Sequence, residues 1–178
     1  MAQQFRLVLK SGPDNIRKFD EDATESFKRG ELVKLTGATT GCDVVAATGS
    51  ISTGILGVAA KKGQNVATPS EKAEVYVVTP EQTWELHVNA NKAPNADYTL
   101  GEAYKVLQIT NTSYTMTREA ETASTTVNVR GPVLITTTAA TASQGLVIIG
   151  WDDATKAKKG QKVLVRFAPD ACQTVKGR

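Results

Sequence analysis

The sequence predicts an all-β fold, either a small barrel or a sandwich, with little helix. Short runs of β-branched and aromatic residues recur along the chain, separated by Gly, Pro, Asn and Ser. Turn residues at intervals of about 8–12 residues are typical of these two architectures. Threonine is abundant as well, and it favours the pleated, half-buried surface of a sheet over a helix.

The first 29 residues differ in character from the rest. A strand-like run at 5–9 is followed by turn residues at 11–15 and by a charge-dense stretch at 20–29. A charged surface segment would explain this composition. Because the segment holds more apolar side chains than a solvated tail needs, it also fits an extended arm that reaches a neighbouring subunit. We therefore divide the chain into an N-terminal arm, 1–29, and a single β-rich domain, 30–178.

The predicted strands follow one another through this domain. We expect helix only at 152–159 and in part of 14–28. Strands are predicted at 31–35, 43–47, 55–60, 66–68, 74–78, 84–88, within 100–109, and at 114–118, 125–130, 133–138, 145–151 and 162–167.

The segment 73–109 gives the clearest pattern. Its first strand ends at a turn, 79–82, in which Pro80 occupies a position that suits its fixed φ. The next strand alternates, which predicts a hairpin with one buried and one wet face. The buried face consists of Trp84, Leu86 and Val88, and the wet face of Thr83, Glu85, His87 and Asn89.

A short internal repeat connects two parts of the chain. Residues 60–66 (AKKGQNV) match residues 157–163 (AKKGQKV) at six of seven positions, and each copy follows an apolar run that opens with glycine. The lysines could form a basic patch for nucleic acid, or they could be a solvated connection that keeps a sheet edge soluble. The repeat also fits two similar strand–turn–strand units in a pseudo-duplicated barrel.

Composition and charge disfavour several classes of protein. There are 21 basic and 18 acidic residues, a net charge of +3, so we expect neither a nucleic-acid nor a membrane partner. The apolar run 146–149 is far shorter than the roughly 20 residues that cross a bilayer. No signal-peptide pattern is present, so we expect use without secretion. Cys42 and Cys172 fit two reduced thiols, although a disulfide is also open.

The sequence offers little for catalysis. His87 is the single histidine, and the alternation places it on the wet face, where a surface role is expected. No P-loop, nucleotide-binding glycine motif or GxSxG context is present. The acidic groups at 20–22 and 152–153 lack the spacing of a calcium loop. We expect no enzyme, no metal and no cofactor.

Three pieces of the chain resemble the decoration, or cement, proteins of tailed-bacteriophage capsids. The first is GELVKL at 30–35, followed after a Thr/Gly/Ala loop by GILGVA at 54–59. The second is VYVVTPEQTWELHV at 75–88, and the third is LGEAYKV at 100–106. The resemblance covers about 30–109, with a weaker echo in the C-terminal strands.

The resemblance implies a small β-barrel or β-tulip-like protein on the outside of the virion capsid, made in the host cytoplasm. It would form a homotrimer, bind the major capsid protein and stabilise the expanded head. The expected contact residues are Phe5, Leu7, Leu9, Phe19, Phe27, Glu85 and His87. Deletion of residues 2–28 should then leave a folded domain that binds heads poorly. Alternatives are a tail-tube, fibre-base or connector subunit, or a glycan- or nucleic-acid-binding β module.

Overall fold

The computed structural model is almost entirely β and describes residues 3–36, 44–89, 92–119 and 124–173. This confirms the predicted fold class. One short helix, α1 (Pro94–Asp97), and one 3-10 turn (Pro169–Ala171) interrupt the strands. The strands are β1 (Gln3–Gln4), β2 (Val8–Ser11), β3 (Ile16–Phe19), β4 (Leu32–Leu35), β5 (Val44–Ala46), β6 (Gly49–Ile51), β7 (Gly57–Ala59), β8 (Ala73–Val77), β9 (Thr83–Val88), β10 (Ala103–Glu119), β11 (Ser124–Thr138), β12 (Leu146–Trp151) and β13 (Lys162–Phe167).

Five strands close into a barrel. The order is β9, β11, β10, β12, β13 and back to β9, and the parallel pair between β9 and β11 completes the circuit. Side chains from alternate positions fill the interior, among them Leu86, Val106 and Val165, all fully buried. Closure pairs both edges of the strands within the barrel. Beyond the barrel, residues 115–118 of β10 and 125–128 of β11 pair only with each other among the described residues.

The second sheet also has five strands, in the order β3, β8, β7, β4, β5. The chain that leaves β3 reaches the outer edge of β5, where Glu21 and Val44 form a parallel bridge. Two backbone hydrogen bonds support this bridge, from Val44 N to Asp20 O (2.7 Å) and from Asp22 N to Val44 O (3.2 Å). The second sheet is therefore curled, with its far edge covered by the continuation of its first strand.

One apolar cluster spans both sheets. Leu32 on β4 and Val58 on β7 belong to the same buried cluster as Trp84 and Leu146 of the barrel. The opposite face of the second sheet encloses a smaller cluster of its own, around Phe27, Leu56 and Val75. Strands with both faces covered need apolar residues in succession, and β7 is buried at all three positions.

The N-terminal segment is built into these two sheets. Residues 3–4 pair with β11, residues 8–11 with β9, and residues 16–19 with β8. Two glycines permit the close approach: a Cβ on Gly131 would overlap the carbonyl oxygen of Phe5, and one on Gly30 would meet the stem of Arg6 at 2.6 Å. In this chain the described part of the expected arm is thus part of the fold.

The predicted hairpin at 73–88 is wrong. β8 pairs with β3 and β7, whereas β9 pairs with β2, β11 and β13, so the turn at 79–82 carries the chain from one sheet to the other. The segment between β2 and β3 also passes from one sheet to the other, next to this turn. Buried Gln82 holds the two crossings together, because its side chain accepts from Thr79 N (2.9 Å) and donates to Pro13 O (2.7 Å).

Three other expectations are corrected. Residues 66–68 form bends rather than a strand, and Val66 is exposed in the connection between β7 and β8. Residues 152–159 form successive turns rather than a helix. In the segment 14–28, where part was expected to be helical, the structure has the strand β3. The three runs predicted between 114 and 138 belong to the two long paired strands β10 and β11.

The internal repeat occupies equivalent places in the two sheets. The first copy follows β7 and leads toward β8, while the second follows β12 and enters β13, and each pair of strands is antiparallel. Gly63 and Gly160 are buried within the two copies, whereas Lys61 and Lys62 are exposed. The repeat therefore marks two similar strand connections.

Candidate functional site

The predicted core face of β9 is confirmed, but Thr83 of the predicted wet face is buried, and so is His87. His87 lies on the outer face of the barrel, opposite Val133 of β11 and Lys162 of β13. Phe5 stacks on its ring, with 4.1 Å between centroids and 20° between planes. Its Nδ1 lies 2.9 Å from the carbonyl oxygen of Gly160. Because a carbonyl only accepts, Nδ1 carries the proton. The error arose because alternation predicts which face a residue occupies but not what covers that face.

A cleft of about 490 Å³ opens beside this histidine on the outer face of the barrel, and we call it the outer cleft. Glu85 lies in it between two lysines, with Lys162 Nζ at 2.8 Å and Lys10 Nζ at 3.5 Å. The half-buried ring of Trp151 forms another wall. The outer cleft thus combines one aromatic surface with charges of both signs.

The ion pairs of Glu85 shift its titration. Partial burial would raise the pKa of its carboxyl. The hydrogen bond from Lys162, together with the charges of Lys162 and Lys10, outweighs that effect and holds the pKa below its ordinary value. Glu85 therefore stays ionised at neutral pH, and the outer cleft keeps its alternating charges.

Trp151 is the residue of this cleft that sequence reasoning missed. One extra residue in β12, between the pairs Ile148–Val165 and Gly150–Leu164, forms a β-bulge. The bulge shifts the alternation, so that Trp151 lies directly opposite buried Val163 and packs partly against the core. Gly150 before the tryptophan was the available signal, since a glycine inside a strand pattern often marks a bulge.

The seven expected contact residues do not form one surface. Phe5, Leu7 and Phe27 are buried within the chain, as is His87. Leu9 and Phe19 are partly buried against the two apolar clusters. Glu85 remains partly accessible, in the outer cleft. Only Leu9, Phe19 and Glu85 therefore offer a neighbour any side-chain surface in this conformation.

Other side chains of the N-terminal segment are exposed. Val8 on β2 and Ile16 on β3 each have 43% of their surface accessible. The two strands stand at the ends of their sheets' strand orders, so each presents an outer edge with no partner strand among the described residues. We call residues 8–19 the N-terminal ribbon. It joins an open strand edge to exposed apolar side chains.

A buried carboxylate, that of Glu31, stabilises the part of the chain that follows the N-terminal ribbon. Glu31 is fully buried, and its Oε1 accepts from Arg130 Nε at 2.7 Å. Its Oε2 accepts from Lys28 N at 2.9 Å, and Arg130 also donates to the carbonyl of Ser26. A paired and hydrogen-bonded buried carboxylate favours one arrangement of the chain around it. The connection 20–31 is therefore held to the long strand β11.

The remaining titratable residues form no metal-binding group in the described part of the chain. No group of three or more His, Cys, Asp or Glu among those residues could hold a metal ion. Cys172 is half-buried, and burial together with the charge of Glu81 raises its pKa to about 11. Cys42, its possible partner, lies outside the described residues. Over the same residues, no helix has the length and apolarity to span a membrane.

Comparison with known proteins gives no match of any kind. No family model, no curated protein and no solved structure matches this chain.

Proposed function

We propose that this protein is a structural component of a tailed-phage virion that binds the outer surface of the expanded capsid and bridges neighbouring capsid subunits. The resemblance of residues 30–109 to capsid decoration proteins motivates the proposal. The all-β fold agrees with what that resemblance implies. A trimeric state, a location on the virion exterior and a non-enzymatic role belong to the same proposal.

One structural observation supports this role most directly: the open edge of the N-terminal ribbon. A partner strand can add to such an edge through main-chain hydrogen bonds, while exposed side chains next to it supply apolar contact. Val8 and Ile16 are two of the five large apolar side chains that the described chain exposes, and both lie on this ribbon. Weak contacts suffice for a cement protein, because many copies act together on one particle.

The test is binding of the full-length protein to heads of the parent phage. We expect co-sedimentation with expanded heads and none with unexpanded precursor shells, which lack the mature arrangement of subunits. Val8→Asp and Ile16→Asp should each weaken binding about tenfold or more, since a charge would be placed in an apolar contact. Val66→Asp and Ile149→Asp are matched controls, with similar exposure outside the ribbon, and should bind normally.

The alternatives predict different outcomes. Equal binding to precursor shells, or no binding to either particle, would contradict the proposal. Hundreds of copies per virion are expected of a decoration protein, whereas a few copies would favour a tail or connector subunit. Binding to glycans at the outer cleft, with no binding to heads, would favour the β module.

A further inference from the structure

A second cleft, of about 420 Å³, lies between β2 and the second sheet. We call it the inter-sheet cleft. Its walls are mostly apolar and come from both sides, with Leu7 and Leu9 facing Val58 and Tyr76. Trp84 of β9 contributes to the lining. The charged residues at this cleft are Arg6, Asp14 and Arg29.

The two arginines stand on neighbouring pieces of chain. Leu7 N donates to Gly30 O at 3.1 Å, and the stem of Arg6 packs over Gly30, next to Arg29 in sequence. Among the described residues neither guanidinium forms an ion pair with a carboxylate. Arg6 Nη2 donates to the neutral side chain of Gln4, at 3.0 Å. With Asp14 the cleft carries a net charge of +1, so an added carboxylate is favoured.

Trp84 adds an unused donor. Its side chain is 1% exposed, and its Nε1 is buried without a hydrogen-bond acceptor in the described part of the chain. A buried donor without an acceptor is costly, and native structures rarely leave one. Trp84 lines the inter-sheet cleft, so its indole N–H resonance reports on what binds there.

We propose that the inter-sheet cleft binds an extended acidic peptide segment of a partner protein. A glutamate or aspartate of that segment pairs with Arg6 and Arg29, and its apolar neighbours contact Leu9 and Tyr76. A peptide fits better than an isolated anion because β2, one wall of the cleft, has an open edge. The inference rests on the proposed function, in which the segment belongs to the capsid subunit.

The experiment uses the full chain with Trp151→Phe, which leaves Trp84 as its single tryptophan. The ¹⁵N-labelled protein is titrated with the blocked peptide acetyl-Thr-Val-Glu-Val-Thr-amide and with its glutamine analogue. We expect the Trp84 indole N–H resonance to shift as the peptide binds, because Trp84 lines the cleft. The glutamate peptide should bind about tenfold more tightly than the analogue, because only it forms a charge-assisted pair.

Two double variants locate the binding. Arg6→Gln with Arg29→Gln should abolish the preference for glutamate. Lys10→Gln with Lys162→Gln removes the same charge from the outer cleft and should keep the preference. Equal binding of both peptides, an unmoved indole resonance, or loss of preference in the lysine control would each overturn the inference. Binding of acetate as tight as that of the peptide would overturn the peptide assignment.

The same variants separate this inference from the proposed function. If heads bind the wild-type and the double-arginine proteins equally, the cleft is not the contact and the inference fails, while the capsid role stands. If the peptide binds as expected but heads do not, the capsid role fails and the peptide site stands.

Discussion

At the scale of single residues, Glu85 and His87 differ in exposure, although the sequence predicted both on the wet face of β9. Glu85 and His87 both point outward from β9, as the alternation predicts. Glu85 remains partly accessible in the outer cleft, where Lys10 and Lys162 pair with it. His87 is covered, because the chain brings Phe5 over its ring. The face of β9 on which each side chain lies was therefore predictable from the local sequence. The exposure of His87 depended on Phe5, which is far away in the chain.

The lowered pKa of Glu85 predicts a pH-dependent contribution to stability. Its carboxyl binds a proton less readily when folded than at its ordinary pKa of 4.5. The stabilisation is thus present above the pKa of the unfolded chain and is lost as the pH falls through the lower, folded value. A double-mutant cycle of Glu85→Gln and Lys162→Gln, measured by urea unfolding, should give about 0.2–1 kcal/mol at pH 7.

The same cycle supplies its own control at low pH. At acid pH, below the folded pKa of Glu85, the coupling should shrink toward zero, since protonation discharges the carboxyl. An equal coupling at both pH values would show that the pair acts through packing rather than charge.

At the scale of elements, the N-terminal strands are the main departure from the expected organisation. Strand propensity at 5–9 was visible in the sequence, but its partners were not. β2 pairs with β9 and β3 with β8, so the segment joins both sheets at the point where the chain crosses between them. Phe5 and Phe27 are each no more than 2% exposed. The segment therefore contributes to the core of this chain, whatever its outer edge contacts.

This arrangement reverses the expected result of deleting residues 2–28. Loss of β1, β2, β3 and Phe27 should leave a chain without a cooperative unfolding transition, measured by circular dichroism during heating. The milder change Phe5→Ala should lower the free energy of unfolding by about 3–5 kcal/mol, because it removes a buried aromatic side chain.

Val8→Ala is the matched control, since Val8 is exposed and lies on the same segment. Its effect should stay near 0.5 kcal/mol or below, as is usual for surface positions. A deleted chain that still unfolded sharply, with Phe5→Ala close to wild type, would identify the segment as a detachable arm.

At the scale of the whole molecule, the barrel and the second sheet share one core. The cluster that contains Leu86 and Val165 of the barrel also contains Leu32 and Val58 of the second sheet. Neither sheet can separate without exposing this surface to water, which costs about 25 cal/mol per Å² of apolar area. The two sheets are therefore expected to be thermodynamically coupled.

A single unfolding transition follows from this coupling. Leu56→Ala in the second sheet and Ile148→Ala in the barrel should each lower the global stability by about 2–5 kcal/mol, since both side chains are fully buried. Amide hydrogen exchange reports on each sheet separately, and the slowest amides of both should accelerate together in either variant. If Leu56→Ala accelerated exchange in the second sheet alone, the sheets would be independent units.

The sequence by itself determined the fold class, the position of most strands and the inward face of β9. These features follow from local chemistry, because β-branched residues favour strands and the side-chain period of a strand is two. The sequence also predicted Glu85 as accessible. The candidate site was only partly predictable, since a bulge next to Gly150 places Trp151 opposite buried Val163, and its half-buried ring also lines the outer cleft.

Only the tertiary structure decided which strands pair. β8 and β9 are adjacent in sequence, yet each finds its partners elsewhere, because strand pairing depends on contacts between distant residues that leave no local pattern. The burial of His87, the sharing of one core by two sheets and the inter-sheet cleft all follow from that pairing. The periodicity of a strand is determined within about six residues, whereas its neighbouring strands are determined by the packing of the whole chain.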